Sequence, residues 1–132
     1  MCGSRDANHW HIFWECPVTI HFWSEMHKIL ENMFHMKIPY HFKTFILGEI
    51  NFLTGHLNQY LFGVLISAGK KTITRHWLHP DSPTIEEWID IVNEIYIMEK
   101  ITFSLRLQMD KITKSWSKWV SYVQMSQSHP RN

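Results

Sequence analysis

The chain has only two cysteines, Cys2 and Cys16, among its 132 residues. That excludes a disulfide framework and makes a reducing, intracellular setting (cytoplasm or nucleus) the expectation. Glycine is equally sparse, and Gly3, Gly48, Gly55, Gly63 and Gly69 are scattered. No phosphate-cradling loop of the GxGxxG or P-loop kind is spelled. Long apolar runs are missing too. The longest, Tyr60–Gly69, has ten residues and is followed by Lys70-Lys71, whereas a bilayer-spanning helix needs ~20. The first ten residues, MCGSRDANHW, hold no apolar core of a signal peptide, so no membrane partner is expected. A net charge of +1 gives no bulk field for attracting nucleic acid. The four aspartates, Asp6, Asp81, Asp90 and Asp110, include no adjacent pair. No Ser/His/Asp or Cys/His nucleophilic set is recognisable, which argues against an enzyme and against a small-molecule substrate.

What the chain does have is apolar and aromatic mass. Hydrophobic residues make up 45 % of it and aromatics 14 %, with seven Trp, eight Phe and four Tyr. A domain of this size buries roughly two thirds of its unfolded surface. Pro17 stands where it can open a helix, because its missing N–H costs nothing in a first turn. Val18–Met33 then carries Ile20, Trp23, Ile29, Leu30 and Met33 in a loose helical pattern. Lys37–Gly48, broken by Pro39, reads as an extended connector or short strand. Leu57–Leu78 reads as a helix with two apolar stripes. Leu57, Leu61, Val64 and Ala68 form one, and Phe62, Ile66, Ile73 and Trp77 the other.

A turn at His79-Pro80-Asp81-Ser82-Pro83 precedes Thr84-Ile85-Glu86-Glu87, a capping box in which hydroxyl and carboxylate serve each other's backbone amides. Ile85, Trp88, Val92 and Ile95 continue as the buried face of a helix running to about Leu107. A last helix, near Gln108–Val123, buries Ile112, Trp116, Trp119, Val120 and Val123. The sum is an all-α chain of about four helices. A Cys/His head (residues 1–17) precedes a helical domain (18–124), and a disordered tail (125–132) follows.

The head is the sharpest chemical feature. Cys2, His11 and Cys16 offer three zinc ligands, an incomplete set whose fourth is missing unless His9 or His21 serves. Structural zinc sites are normally closed by four N/S ligands. The plainer alternative is two ordinary thiols among surface histidines. The other histidines, at 21, 27, 35, 41, 56, 76 and 79, show no metal spacing; His76 and His79 stand at i and i+3, but at a helix end, where a cation is favoured anyway.

The string His9-Trp10-His11-Ile12-Phe13-Trp14-Glu15-Cys16-Pro17, followed by Phe22-Trp23, resembles the Cys/His knuckle near the C-terminus of LINE-type (non-LTR) retrotransposon reverse transcriptases. In that likeness Cys2-Gly3 stands for the second family cysteine, His11 for the histidine and Cys16 for the last cysteine. The first family cysteine would lie just before Met1. The resemblance continues in order through Ile38-Pro39 and Phe45-Ile46-Leu47-Gly48, then Ala68–Trp77 (AGKKTITRHW). It goes on through Pro83-Thr84-Ile85-Glu86-Glu87-Trp88 and Ile95-Tyr96-Ile97-Met98-Glu99-Lys100 to Trp116-Ser117-Lys118-Trp119. It implies a truncated C-terminal fragment with an accessory RNA- or single-stranded-DNA-binding role. The endonuclease and reverse transcriptase domains of the family, and the paired aspartates that hold its Mg²⁺ ions, have no counterpart here.

Charge patterning supplies candidates for such binding. Residues 81–99 carry six acids and no base, a net of −6, while residues 100–118 carry five bases against Asp110, a net of +4. Lys111, Lys114 and Lys118 recur at spacings of three and four on one helix face. Lys70, Lys71 and Arg75 form a second cluster. Such stripes neutralise phosphates and make binding salt-dependent, and Trp10 and Trp14 could stack on unpaired bases. Two plainer alternatives stand beside this. The acidic and basic helices could pack antiparallel and balance one another, or the chain could be a helical protein-interaction module or a non-functional remnant. Trp23, Trp77, Trp88, Trp116 and Trp119 lie on apolar stripes and read as core.

Overall fold

A computed structural model describes residues 17–46, 48–76 and 81–128. Five helices occur among them and no strand: α1 (Pro17–Phe34), α2 (Phe42–Phe45), α3 (His56–Arg75), α4 (Ile85–Leu105) and α5 (Met109–Ser128). The all-α expectation holds, with four long helices and one single turn.

Each long helix follows from an apolar stripe that must be covered. Trp23, Met26, Leu30 and Phe34 line the inner side of α1, and Leu61, Phe62, Leu65, Ile66 and Ile73 that of α3. Ile85, Trp88, Ile91 and Val92 do the same for α4, and Ile112, Trp116 and Trp119 for α5. Both predicted stripes of α3 are largely buried, but Leu57 lies in its first turn, beyond the core, and is 46 % exposed.

The four long helices alternate in direction. Phe34 meets Phe62 edge to face, while a Cβ on Gly69 would lie 2.9 Å from Met26 Sδ and 3.3 Å from Trp23 Cζ3, so α1 and α3 are antiparallel. Glycine at 69 lets them approach this closely. The Trp88 indole N–H donates to Leu65 O at 2.9 Å and Tyr60 donates to Glu99, which makes α3 and α4 antiparallel. Trp119 meets Trp88 edge to face, and Trp116 meets Tyr96, so α4 and α5 are antiparallel too. The bundle is therefore up-down-up-down.

The connector after α1, expected to be extended or a short strand, contains a turn of helix instead of a strand. Residues 42–45 make one helical turn, closed by Thr44 and Phe45 N–H bonds to His41 O. Among the described residues no strand offers a ladder. Burial of an aromatic anchor decides the geometry instead. Phe45 is fully buried and packs edge-on against Trp23, His27 and Tyr40. Side chains of α1 strap the connector down: Ile38 N–H donates to Glu31 at 2.9 Å, and His27 Nε2 lies 2.7 Å from Ile38 O.

Helix α4 starts at the expected N-cap, Thr84. Thr84 Oγ1 accepts from Glu87 N–H at 3.2 Å and donates to the Glu87 carboxylate at 3.0 Å. It stops two residues before the expected Leu107. Leu107 N–H bonds Ser104 O and Gln108 N–H bonds Phe103 O, with Leu107 at φ 56. That is a Schellman stop with leucine where glycine is usual. At the other end of the hairpin, α5 continues to Ser128, so helical backbone runs four residues into the segment expected to be a tail.

Candidate nucleic-acid interface

Cys2, His9, Trp10, His11, Trp14 and Cys16 lie outside the described residues, as does Trp77. Among the described residues no group of three or more His, Cys, Asp or Glu is placed to hold a metal ion, and no helix is long and apolar enough to cross a membrane.

The basic residues divide into two sets that the fold keeps apart. Lys71 and Arg75 are exposed in the last turns of α3, at the end where α3 meets the start of α4. Lys111 and Lys114 are exposed in the first turns of α5, beside the far end of α4. The antiparallel topology therefore sets the two clusters toward opposite ends of the bundle.

Two of the six candidates are engaged internally. Lys70 is only half-exposed, and its ammonium donates to Ile46 O. Burial pushes its pKa below the ordinary 10.5. It ties α3 to the connector after α2. Lys118 sits 5.9 Å from the centre of the Phe34 ring, within cation–π range, and so bridges α5 to the end of α1.

The expected balance between acidic and basic helices takes a specific form. The helices do pack antiparallel, but no ion pair joins Lys111, Lys114 or Lys118 to a carboxylate of α4 among the described residues. The acids of α4 are used elsewhere. Glu99 accepts from the Trp116 indole at 2.7 Å and from Tyr60. Glu87 is held by Thr84 and His76. Asp90 and Glu94 face solvent.

The His76 constellation is what sequence reasoning missed. His76, at the C-cap of α3, is buried to 7 % exposure. Its Nε2 meets the Glu87 carboxylate, and its Nδ1 lies 3.2 Å from the Asp81 carbonyl and 3.5 Å from the Asp81 carboxylate. Burial opposes a charge on the imidazole, but the hydrogen bond and negative charge of Glu87, with Asp81 added, outweigh it and raise the pKa above 6.5. Burial likewise opposes ionisation of Glu87, and the bonds from His76 and Thr84 outweigh it, holding the carboxyl below 4.5. The signal was present in the capping box: its glutamate has two oxygens, and only one is needed for the cap.

No protein-family model matches the chain, and no curated protein matches it by sequence.

Proposed function

We propose that the chain is a truncated C-terminal segment derived from a LINE-type retrotransposon protein. In this reading it is at most an accessory module for RNA or single-stranded DNA, without polymerase or nuclease activity. The observation that carries the reading is the order of its motifs, from Cys2, His11 and Cys16 through Phe22-Trp23 and Thr84–Trp88 to Trp116–Trp119. Zinc in the head would be held by Cys2, His11 and Cys16 with His9 completing the set, and would supply folding energy rather than chemistry. On the bundle, Lys71, Arg75, Lys111 and Lys114 remain exposed for phosphates.

Titration of the full chain with labelled single-stranded RNA at about 50 and about 200 mM salt tests the reading. Four phosphate contacts give a logarithmic slope near −3, a loss of roughly fifty-fold between the two conditions. The charge reversals Lys111→Glu and Lys114→Glu together should flatten that slope. Absence of binding at low salt overturns the nucleic-acid role. Zinc quantitation tests the head. One zinc per chain, lost in Cys2→Ser and Cys16→Ser, is expected. No zinc, with both variants as stable as the parent, removes the metal.

The second reading, a helical protein-interaction module, is favoured by one observation: the exposed apolar side chains between Ile97 and Met109.

A further inference from the structure

The α4–α5 hairpin outruns the helices beside it. Tyr60 of α3 bonds Glu99 of α4, so His56, where α3 begins, lies level with about residue 103 of the antiparallel α4. Phe34, where α1 ends, lies beside Lys118, about 14 Å along α5 from Met109. Residues 104–107 and 109–111 are all exposed. The end of the hairpin is therefore a convex tip.

Two kinds of side chain meet on that tip. Leu105 is 81 % exposed, Leu107 91 % and Met109 39 %. Exposed leucines scattered singly are ordinary, but a contiguous apolar patch on a protein surface marks a contact site. Arg106, Lys111 and Lys114 stand among and beside the three. They are exposed and enter no ion pair among the described residues. One acid, Asp110, opposes them in the stretch. Lys114 is about 8 Å along α5 from Met109, within the span of its own stem. The acidic end of α4 is remote: Glu94 lies about 17 Å before Leu105, roughly two Debye lengths at physiological salt. Glu99, nearer, is occupied by Tyr60 and Trp116.

We infer that the α4–α5 tip docks on an anionic lipid surface. Leu105, Leu107 and Met109 enter the boundary between headgroups and acyl chains, while Arg106, Lys111 and Lys114 stay at headgroup level on long stems. Charge and shape together decide for that occupant. The bases call for an anion, aliphatic side chains gain nothing from phosphate, and a convex tip offers a peptide no groove to lie in. The contact is adsorption at the interface and spans nothing. It goes beyond the nucleic-acid reading and does not depend on it. The two share Lys111 and Lys114, but only lipid uses the leucines.

Co-sedimentation of the full chain with vesicles tests the inference, with circular dichroism confirming that each variant stays helical. The parent chain should pellet with vesicles of equal parts phosphatidylcholine and phosphatidylserine, and stay in the supernatant with phosphatidylcholine alone. Leu105→Gln and Leu107→Asn should each weaken partitioning about tenfold and leave titration with single-stranded RNA unchanged. Asparagine is chosen at 107 because it tolerates the left-handed backbone there. Lys111→Gln and Lys114→Gln should each weaken partitioning about fivefold. A parent chain that stays in the supernatant with the phosphatidylserine vesicles overturns the proposal, whether or not it associates with itself or binds RNA. So does equal pelleting with both vesicle compositions, or pelleting that neither leucine variant reduces.

Discussion

The two ends of α4 are built on opposite terms. At its N-terminal end Trp88 is wholly buried, its indole N–H satisfied by Leu65 O. There Thr84 caps the helix, and Glu87 joins it to His76 of α3. At its C-terminal end the side chains at 97, 98, 101 and 105 face water, and the helix closes on a leucine in the left-handed region. One end is finished inside the chain, with Thr84, Glu87 and the Trp88 indole each matched to a neighbour. The other offers apolar surface that nothing among the described residues of the same copy covers. The lesson is that helix formation and helix burial separate: a continuous apolar period makes the helix, but its fully buried side chains all lie in the first half, and Ile95, Tyr96 and Phe103 beyond them are only partly covered.

Paired substitutions break this comparison most sharply. Trp88→Ala removes a buried aromatic together with its hydrogen bond to Leu65 O, so it should lower unfolding free energy by about 3–5 kcal/mol. Leu105→Ala, 17 residues further along the same helix, should stay within about 0.5 kcal/mol in dilute solution. Urea denaturation of both variants in dilute solution measures the difference. Equal losses would mean that the far end is packed as tightly as the near one.

A smaller effect of opposite sign is expected at the turn. Leu107 at φ 56 is strained by roughly 1 kcal/mol, and glycine there carries no such strain but costs chain entropy in the unfolded state. Leu107→Gly should therefore raise monomer stability by up to about 1 kcal/mol, measured by thermal or urea unfolding.

The smallest effect is the pH response of the near end, because Glu87 is partly solvated and its pairing is screened. His76 titrates higher in the fold than its ordinary 6.5, so its contribution is fully present below pH 6.5 and fades as pH rises through the folded value. Glu87 titrates lower than 4.5, so its contribution is fully present above pH 4.5 and fades as pH falls through the folded value. The pair therefore stabilises most between those limits. His76→Gln should remove the decline on the alkaline side while leaving the far end of α4 unchanged, as amide exchange of residues 97–105 would report.

Much of the architecture was legible in residue spacing. The period of Ile85, Trp88 and Val92 and the capping box at Thr84 place the start of α4 to the residue, because cap and stripe are local signals that agree. The connector was not legible. Phe45 is held by Trp23 and His27 of α1 as well as by nearby Tyr40, and the two α1 partners lie outside any local window. The basic residues were found as charges but not as places. Whether a lysine faces phosphate or a carbonyl depends on what packs beside it, and Lys70 turns inward to Ile46 while Lys71, its neighbour, does not. Spacing marks His76 and His79 alike as helix-end cations; the carboxylate partner that sets His76 apart lies eleven residues on, across a turn.

The indole groups carry a consequence of their own. Trp88, Trp116 and Trp119 direct their N–H bonds to Leu65, Glu99 and Asn93, at three heights along the bundle and across two helix pairs. Leucines in these places would tolerate sliding, because one apolar contact replaces another when a helix shifts by a turn. An indole N–H tolerates none: a shift of about 5.4 Å carries it past its acceptor and leaves a buried donor unmatched, at about 1–3 kcal/mol each. The three tryptophans thus act as a vernier. They select one alignment of α3, α4 and α5 from a ladder of near-equivalent ones, and they fix how far the open half of α4 stands out from the rest.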